Sequence, residues 1–281
     1  MSDAQAKPAP PIDAEAFKRF EHAGWDQVGD RYHDAFGPLT RQAIDPTLDE
    51  AGVAKGTRLL DVACGPGYIA AAGARRGARA VGVDFSATMV GEAARLNPDV
   101  EFREGDAESL PFPDRSFDAV TIGFGMLHFA RPERAAAEAF RVLVPGGRFA
   151  FTVWDAPERA LTFGLTLRAI EARGNLEVPL PPGPNFFRFS DPAACADVLE
   201  GAGFRGPRVR TLPTGWRLPS VDALIEMLMT AGVRTRALLR AQTPEALAAI
   251  VTELRELARP CEREGALELP TPCVLAAAAR P

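Results

Sequence analysis

Apolar and polar positions repeat with two different periods over residues 57–154, and this pattern predicts strands separated by helices. Five short runs are almost wholly apolar, as expected of parallel strands that are covered on both faces of a sheet. The five runs span residues 58–63, 80–83, 100–104, 117–122 and 148–153. A helical pattern begins at Pro132, and Pro145-Gly146-Gly147 ends it. Strands that alternate with helices predict an α/β fold with a doubly wound, mostly parallel sheet.

The segment before this block has a helical pattern that is interrupted by helix-breaking residues. Between residues 13 and 53 the breaks stand at Gly24, Gly29, Gly37-Pro38 and Pro46. We therefore predict several short helices of low local stability that lie over the core as a lid.

The segment after residue 154 predicts further helices and the last two strands of the sheet. Asp191 caps one helix, with Pro192 in its first turn, and Thr243 caps another. Two helices are expected at residues 221–231 and 244–258, and two strands at 206–212 and 272–280. The expected organisation is a flexible tail (1–12), a helical lid (13–53), a binding core (54–154) and a C-terminal part of the core sheet with helical cap insertions (155–281).

Composition and charge indicate a globular protein that acts on a small molecule. Of the 281 residues, 47% are apolar, which is enough for a sizeable core. The net charge of −5 gives no general attraction to nucleic acid or an anionic membrane, so we expect neither a nucleic-acid partner nor a stable membrane association. No apolar run suits a membrane span or a signal peptide, so a cytoplasmic enzyme is expected. The four cysteines are widely spaced, which predicts reduced thiols and no metal site.

A glycine-rich turn follows the first predicted strand and opens a helix. Residues 65–70 fit G-x-G-x-x-A, a pattern in which helix N-terminal amides face polar or anionic groups of a nucleotide. Asp84, 17 residues after Gly67, ends the second strand and is placed to accept hydrogen bonds from a ribose diol. NAD and S-adenosylmethionine both carry such a ribose, so the turn by itself leaves both cofactors open.

Three further features distinguish the two cofactors. Asp61 gives the pattern D-x-A-C-G-P-G, where a carboxylate can hold the turn and meet an ammonium group that NAD lacks. The stretch GDAESLPFPDRSFDAV follows the third strand and places Asp106 and Ala107 where they can contact an adenine edge. The stretch VLVPGGRFAFTVW turns from a helix into the fifth strand. Together these features resemble the class I S-adenosylmethionine-dependent methyltransferases, especially the small-molecule group similar to ubiquinone/menaquinone-biosynthesis methyltransferases.

The resemblance covers about residues 32–153 and extends weakly to the C-terminus. It implies a seven-stranded Rossmann-like sheet with a helical cap, S-adenosylmethionine as cofactor, and in-line methyl transfer to a small apolar or aromatic acceptor. The family has glycine where Ala63 stands, and the added methyl group is expected to tighten the turn without abolishing binding. No N-P-P-Y or D-P-P-Y tetrapeptide follows the fourth strand, which resembles small-molecule rather than DNA-adenine methyltransferases.

The motifs and the resemblance together imply a set of site residues in the turn, at the strand ends and in the lid. The expected cofactor-binding residues are Tyr32, Asp61, Ala63, Cys64, Gly65, Gly67, Asp84, Phe85, Met89, Gly105, Asp106, Ala107, Glu108, Gly123, Phe124 and His128. Aromatic residues outside the core sheet suit an apolar acceptor pocket. The expected pocket residues are Trp25, Phe36, Phe163, Phe186, Phe187, Phe189 and Trp216.

His128, Tyr32 and His33 are the candidates for a catalytic base, because each could stand near the reacting end of the cofactor. We expect none of the three to be half of a tuned acid–base pair formed with an acid nearby in the sequence. We therefore expect methyl transfer to depend on alignment and the exclusion of water, with no indispensable base and no metal. Two alternatives remain open: an NAD-linked oxidoreductase, and a non-catalytic S-adenosylmethionine-binding module that lacks an acceptor cavity.

Overall fold

The computed structural model describes residues 12–281. The tail expected at residues 1–12 therefore lies, except for its last residue, outside the described part of the chain.

A seven-stranded sheet forms the centre of the molecule. Its strands are β1 (Arg58–Val62), β2 (Arg79–Asp84), β3 (Glu101–Glu104), β4 (Phe117–Gly123), β5 (Leu143–Trp154), β6 (Arg205–Leu212) and β10 (Cys273–Ala279). They lie in the order β3-β2-β1-β4-β5-β10-β6. Neighbours from β3 to β5 pair in parallel, and β10 runs antiparallel to β5 and β6. The predicted doubly wound, mostly parallel seven-stranded sheet is confirmed.

Eleven α-helices accompany the two sheets in the described part of the chain, and several of them pack on the apolar strands of the central sheet. They are α1 (Ala14–Ala35), α2 (Gly37–Thr40), α3 (Ile44–Glu50), α4 (Tyr68–Arg75), α5 (Ala87–Leu96), α6 (Pro132–Val142), α7 (Leu161–Arg173), α8 (Pro192–Gly201), α9 (Val221–Thr230), α10 (Arg234–Arg240) and α11 (Pro244–Ala258). The predicted caps are present: the Asp191 side chain accepts from the Ala193 amide, and the Thr243 side chain accepts from the Ala246 amide. Among the described residues, no helix is both long and apolar enough to span a membrane.

Helix α1 is continuous, so the breaks predicted at Gly24 and Gly29 are wrong. Each glycine instead allows a close contact. A Cβ atom on Gly24 would lie 2.3 Å from Val233 Cγ1, and one on Gly29 would lie 2.8 Å from Thr88 Cγ2. The two glycines let α1 pack directly against the residue before α10 and against α5. The low local stability inferred from these two breaks therefore has no structural basis.

The start of strand β5 and the presence of a second sheet differ from the sequence prediction. Strand β5 begins at Leu143, so Pro145-Gly146-Gly147 lies within the strand rather than ending a longer helix. There the Gly146 amide donates to the Arg280 carbonyl at 2.9 Å. A second sheet, which the sequence pattern did not predict, consists of β7 (Gly215–Leu218), β8 (Glu262–Arg263) and β9 (Ala266–Pro270) in the order β7-β9-β8.

Gly24→Ala tests whether α1 depends on close packing at its glycines. The new methyl group should clash with Val233 and lower the free energy of unfolding by about 1 to 3 kcal/mol. This loss offsets or exceeds the roughly 1 kcal/mol that replacing glycine by alanine adds to the stability of a helix. Gly91→Ala in α5 is the matched control, because its Cβ would have no atom within 4 Å. Urea unfolding should show Gly24→Ala to be less stable than Gly91→Ala. Equal stabilisation by both substitutions would contradict the close packing.

Candidate active site

The turn between β1 and α4 has an unusual backbone. Ala63, Gly65 and Gly67 have φ angles of 52°, 50° and 78°, in the left-handed region that favours glycine. A Cβ on Gly67 would lie 2.5 Å from Phe102 Cζ, so glycine is needed there for packing against β3. A Cβ on Gly65 would meet no described protein atom within 4 Å, because Gly65 faces a cavity. Gly65 is therefore the position at which a ligand can approach the backbone.

Asp61 stabilises this turn through hydrogen bonds of its carboxylate. Its carboxylate is buried and accepts hydrogen bonds from the Ala70 amide at 3.1 Å and the Thr121 hydroxyl at 2.9 Å. It thereby ties the start of α4 to β1 and β4. Burial raises the pKa of Asp61 to about 7, against the hydrogen bonds that lower it.

Asp84, at the end of β2, holds the turn from the other side. One carboxylate oxygen accepts from the Gly65 amide at 2.9 Å, and the other accepts from the Ser86 amide at 3.0 Å. Burial raises the pKa of Asp84 to about 6. Each carboxylate oxygen has two lone pairs, so Asp84 keeps acceptor capacity for a ligand hydroxyl.

One cavity runs from this turn to the underside of α1, and it brings most of the predicted cofactor residues together. The predicted residues that line it are Tyr32, Asp61, Ala63, Cys64, Gly65, Asp84, Phe85, Met89, Gly105, Asp106, Ala107, Glu108, Gly123, Phe124 and His128. Gly67 is not among the lining residues, since it faces Phe102 instead. We infer that Gly67 shapes the turn and does not touch the ligand.

Asp106 and Glu108 have a partner that the sequence did not predict. The Lys18 ammonium of α1 forms an ion pair with Asp106 and lies 3.5 Å from a Glu108 carboxylate oxygen. Lys18 therefore connects the lid helix to the loop that was expected to contact adenine.

The far part of the cavity is walled by aromatic rings, and we call it the aromatic chamber. Its walls are Trp25, Phe36, Phe124, Trp154, Phe163 and Phe186. Phe124 and Trp154 stack with ring centroids 4.1 Å apart. The chamber offers flat apolar surfaces suited to an aromatic or apolar acceptor.

Three of the aromatic residues predicted for the acceptor pocket do not line the cavity. Phe189 is buried in the core against Phe151, and Trp216 packs edge-on against the outer side of Phe36. Phe187 contacts Phe163 and Phe186 from behind. The sequence identified these residues as cap aromatics, but only the folded chain shows which ring faces inward.

The three candidate bases have different surroundings. His33 lies outside the cavity lining and its Nδ1 is 2.9 Å from the Tyr68 hydroxyl. Tyr32 lines the cavity, but burial raises its pKa far above the usual value, which disfavours a tyrosinate. His128 also lines the cavity, and its Nδ1 lies 3.0 Å from a carboxylate oxygen of Glu21 in α1. The acid beside His128 comes from a distant part of the chain, so the residues next to His128 in the sequence did not reveal it.

Sequence reasoning also missed Arg234. It lines the cavity from the start of α10, and its guanidinium lies over the rings of Phe17 and Phe186 at 5.3 and 5.6 Å. Burial lowers the pKa of Arg234, whereas the charge of Glu21 acts to raise it. No motif surrounds Arg234 in the sequence, so no local signal could have marked it.

The residues at the turn fit S-adenosylmethionine. Asp61 would offer a buried carboxylate to the ligand's ammonium group, Asp84 would offer one to its ribose hydroxyls, and Gly65 leaves the cavity open beside the backbone. Phe85 and Met89 supply apolar surface for the adenine ring.

Comparisons with known proteins find methyltransferase relatives. The family described as a methyltransferase domain matches residues 60–151. A demethylmenaquinone methyltransferase of Renibacterium salmoninarum is 43% identical over 44% of this chain, and the match spans about half (51%) of that relative. A ubiquinone/menaquinone biosynthesis C-methyltransferase of Nitrobacter hamburgensis is 34% identical over 66% of this chain and 82% of the relative.

The fold itself is similar to that of solved methyltransferase structures. A phosphoethanolamine N-methyltransferase from Haemonchus contortus, in complex with phosphomonomethylethanolamine and S-adenosylhomocysteine, has a TM-score of 0.57 and 19% identity. The match covers 94% of this chain and 60% of that one.

The raised pKa values of Asp61 and Asp84 predict that binding of S-adenosylhomocysteine releases protons. At about pH 6 the free protein holds protons on these carboxyls, whereas the ligand's ammonium and ribose hydroxyls favour the ionised forms. Affinity should therefore rise with pH up to about pH 7, by at most about tenfold per unit for each carboxyl that ionises on binding, and it should level off above the pKa values of the free protein. Calorimetry in buffers of different ionisation enthalpy measures the protons released.

Asp84→Asn should reduce this proton release. Asp45→Asn is the control, because the Asp45 side chain is exposed, pairs with Arg76 and does not line the cavity. An affinity that is independent of pH, with no proton release by the unsubstituted protein, would contradict the assignment of both carboxylates to the ligand.

Proposed function

Because this chain belongs to the class I S-adenosylmethionine-dependent methyltransferases of the ubiquinone/menaquinone-biosynthesis type, we propose that it methylates a ring carbon of a quinone-derived small molecule. The observation that carries the proposal is a single cavity in which the carboxylate-lined turn opens into the aromatic chamber. The names of the relatives, which refer to menaquinone and ubiquinone, support the quinone class.

The aromatic chamber suits a flat ring. Its stacked pair, Phe124 and Trp154, stands beside Phe163, whose ring lies 5.3 Å from Trp154. Phe186 adds a further ring 5.7 Å from Phe163. Such surfaces hold an aromatic acceptor by apolar contact and leave few polar groups to fix its orientation.

The chemistry of the acceptor favours its reduced form. S-adenosylmethionine supplies a methyl group on a positively charged sulfur, which an electron-rich atom attacks. A quinone ring is electron-poor, whereas the hydroxyls of a hydroquinone donate electron density to its ring carbons. We therefore assign the hydroquinone, and not the quinone, as the acceptor.

The residues of the chain align the two molecules and exclude water. Asp61, Asp84 and Gly65 fix the cofactor end, and the rings of the aromatic chamber hold the acceptor. Helix α1 covers both parts through Lys18, Trp25 and Tyr32. Oriented encounter of this kind can supply roughly 7 to 11 kcal/mol of the barrier reduction.

The aromatic chamber also bears on the two alternatives. A non-catalytic S-adenosylmethionine-binding module would need no acceptor pocket, whereas the rings of the aromatic chamber line the same cavity as the turn residues. An NAD-linked oxidoreductase would not need a carboxylate such as Asp61 for an ammonium group. Family membership and cavity shape together favour methyl transfer over both.

We expect the protein to methylate a prenylated 1,4-naphthohydroquinone. The methylated position is the ring carbon next to the one that bears the prenyl chain, and this carbon carries hydrogen in the substrate. The assay is anaerobic incubation with S-adenosylmethionine, with and without chemical reduction of the quinone, followed by mass spectrometry. Methylated product should form only in the reduced sample. Equal product from the oxidised sample would contradict the assigned redox state, and no product from either would contradict the acceptor class.

Phe186→Ala should raise the KM for this acceptor roughly ten- to hundredfold, because the substitution removes one apolar wall of the aromatic chamber. Phe187→Ala is the matched control, since this neighbouring ring packs behind the wall without lining the cavity. Both variants should bind S-adenosylhomocysteine as the unsubstituted protein does.

A further inference from the structure

A buried carboxylate and a histidine meet where α1 covers the cavity. Glu21 is fully buried, and one of its oxygens lies 3.0 Å from His128 Nδ1. Its other oxygen, Oε1, has no hydrogen-bond partner among the described residues. A carboxylate without full hydrogen bonding is costly to bury, so a role beyond filling space is indicated.

The surroundings of His128 fix its ring. Trp25 meets it edge-on with ring centroids 4.9 Å apart, and Phe186 does so at 5.8 Å. Both of these residues are walls of the aromatic chamber, and His128 lines the same cavity. Because Glu21 engages Nδ1, Nε2 is the ring nitrogen left for a ligand.

Three cations lie on elements that adjoin the pair. Arg234, at the start of α10, lines the cavity and its charge interacts with that of Glu21. Lys18, one turn before Glu21 in α1, is already paired with Asp106 and Glu108. Arg131, close to the 3-10 turn that holds His128 (Met126–His128), is paired with Glu15 and Glu108. Arg234 is therefore the cation that acts on the Glu21–His128 pair.

We propose that His128, oriented by Glu21, is the base that takes a hydroxyl proton from the acceptor. The inference rests on the proposed function, in which the acceptor is a hydroquinone. The Glu21 carboxylate accepts a hydrogen bond from the Nδ1–H group, which leaves the lone pair of Nε2 free, and it stabilises the imidazolium that forms after proton transfer to Nε2. Glu21 acts through His128 and is a positioning residue.

The proton balance is simple. The hydroxyl proton of the acceptor passes to His128 Nε2, and the electron pair stays on the oxygen, which makes the ring carbon more nucleophilic. The ring carbon bonds to the methyl group as the bond between that methyl group and the sulfonium sulfur breaks, and the sulfur keeps the electron pair. The ring carbon then loses its proton to solvent, and the His128 imidazolium returns its proton to the oxygen, which restores the aromatic ring and the hydroxyl. One proton therefore leaves the site in each turnover.

The pair could instead serve only to fasten α1 to the core. A fastening role and a base role differ in a measurable property, because only a base changes the ionisation of a bound hydroxyl. The difference can be measured without methyl transfer, on a phenol whose anion is coloured.

The test uses 4-nitrophenol as the probe, bound to protein saturated with S-adenosylhomocysteine, and follows the phenolate absorbance against pH. In the unsubstituted protein the bound probe should ionise about one pH unit or more below the free probe. His128→Gln should abolish this shift, and Glu21→Gln should reduce it. His33→Gln is the matched control, because His33 lies outside the cavity lining and should leave the shift intact.

An identical ionisation midpoint in the unsubstituted protein and in His128→Gln would overturn the proposal. So would variants that weaken binding of the probe or of S-adenosylhomocysteine without moving that midpoint, since this is the result of a fastening role. Glu21→Gln and His128→Gln change different elements, so the test survives if one of them fails to fold.

Turnover gives a second readout. With a hydroquinone acceptor, His128→Gln should lower kcat by about 10²- to 10⁴-fold, a much larger factor than any change in the Kd for S-adenosylhomocysteine, and the acidic limb of the pH profile should disappear. If the unsubstituted protein methylates no hydroquinone, the proposed function fails, whereas the phenol titration still reports on the base. The two failures are therefore distinguishable.

Discussion

The carboxylate of Asp61 is buried where β1 ends, α4 begins and β4 passes alongside, and it accepts hydrogen bonds from the Ala70 amide and the Thr121 hydroxyl. This contact forces the chain to turn sharply between Val62 and Tyr68, with left-handed backbone at Ala63 and Gly65. The turn directs the Gly65 amide to Asp84 and leaves the cavity open beside it. The cofactor end of the site thus depends on a buried charge that is costly without partners.

Helix α1 completes the site from above. Its glycines allow contacts that are too close for any side chain. The same helix provides Lys18, which pairs with Asp106, Trp25, which is a wall of the aromatic chamber, and Glu21, which contacts His128. One helix therefore links both compartments of the cavity. Binding of the cofactor and binding of the acceptor both depend on how firmly this helix packs.

The sequence predicted those features of the fold and the site that depend on local sequence patterns. Strand periodicity gave the sheet, the glycine pattern located the turn, and the ends of strands placed Asp61 and Asp84, because these features involve neighbours in the chain or a regular repeat. Glu21 and His128 are 107 residues apart, and their contact exists only after α1 has packed on the sheet. Likewise, Phe186 and Phe187 are adjacent in sequence, and only backbone direction decides which ring faces the cavity. The continuous α1 escaped prediction because a glycine that allows close packing looks the same in sequence as one that breaks a helix.

We infer that the turn held by Asp61 and Asp84 binds S-adenosylmethionine at the open face of Gly65. Calorimetry can test this binding: the unsubstituted protein and Gly65→Ala are each titrated with S-adenosylhomocysteine and, in parallel, with NAD. We predict saturable binding of S-adenosylhomocysteine at one site per chain, no saturable binding of NAD, and a marked loss of S-adenosylhomocysteine affinity in folded Gly65→Ala. Tight binding of NAD alone, or undiminished binding of S-adenosylhomocysteine by Gly65→Ala, would contradict the account.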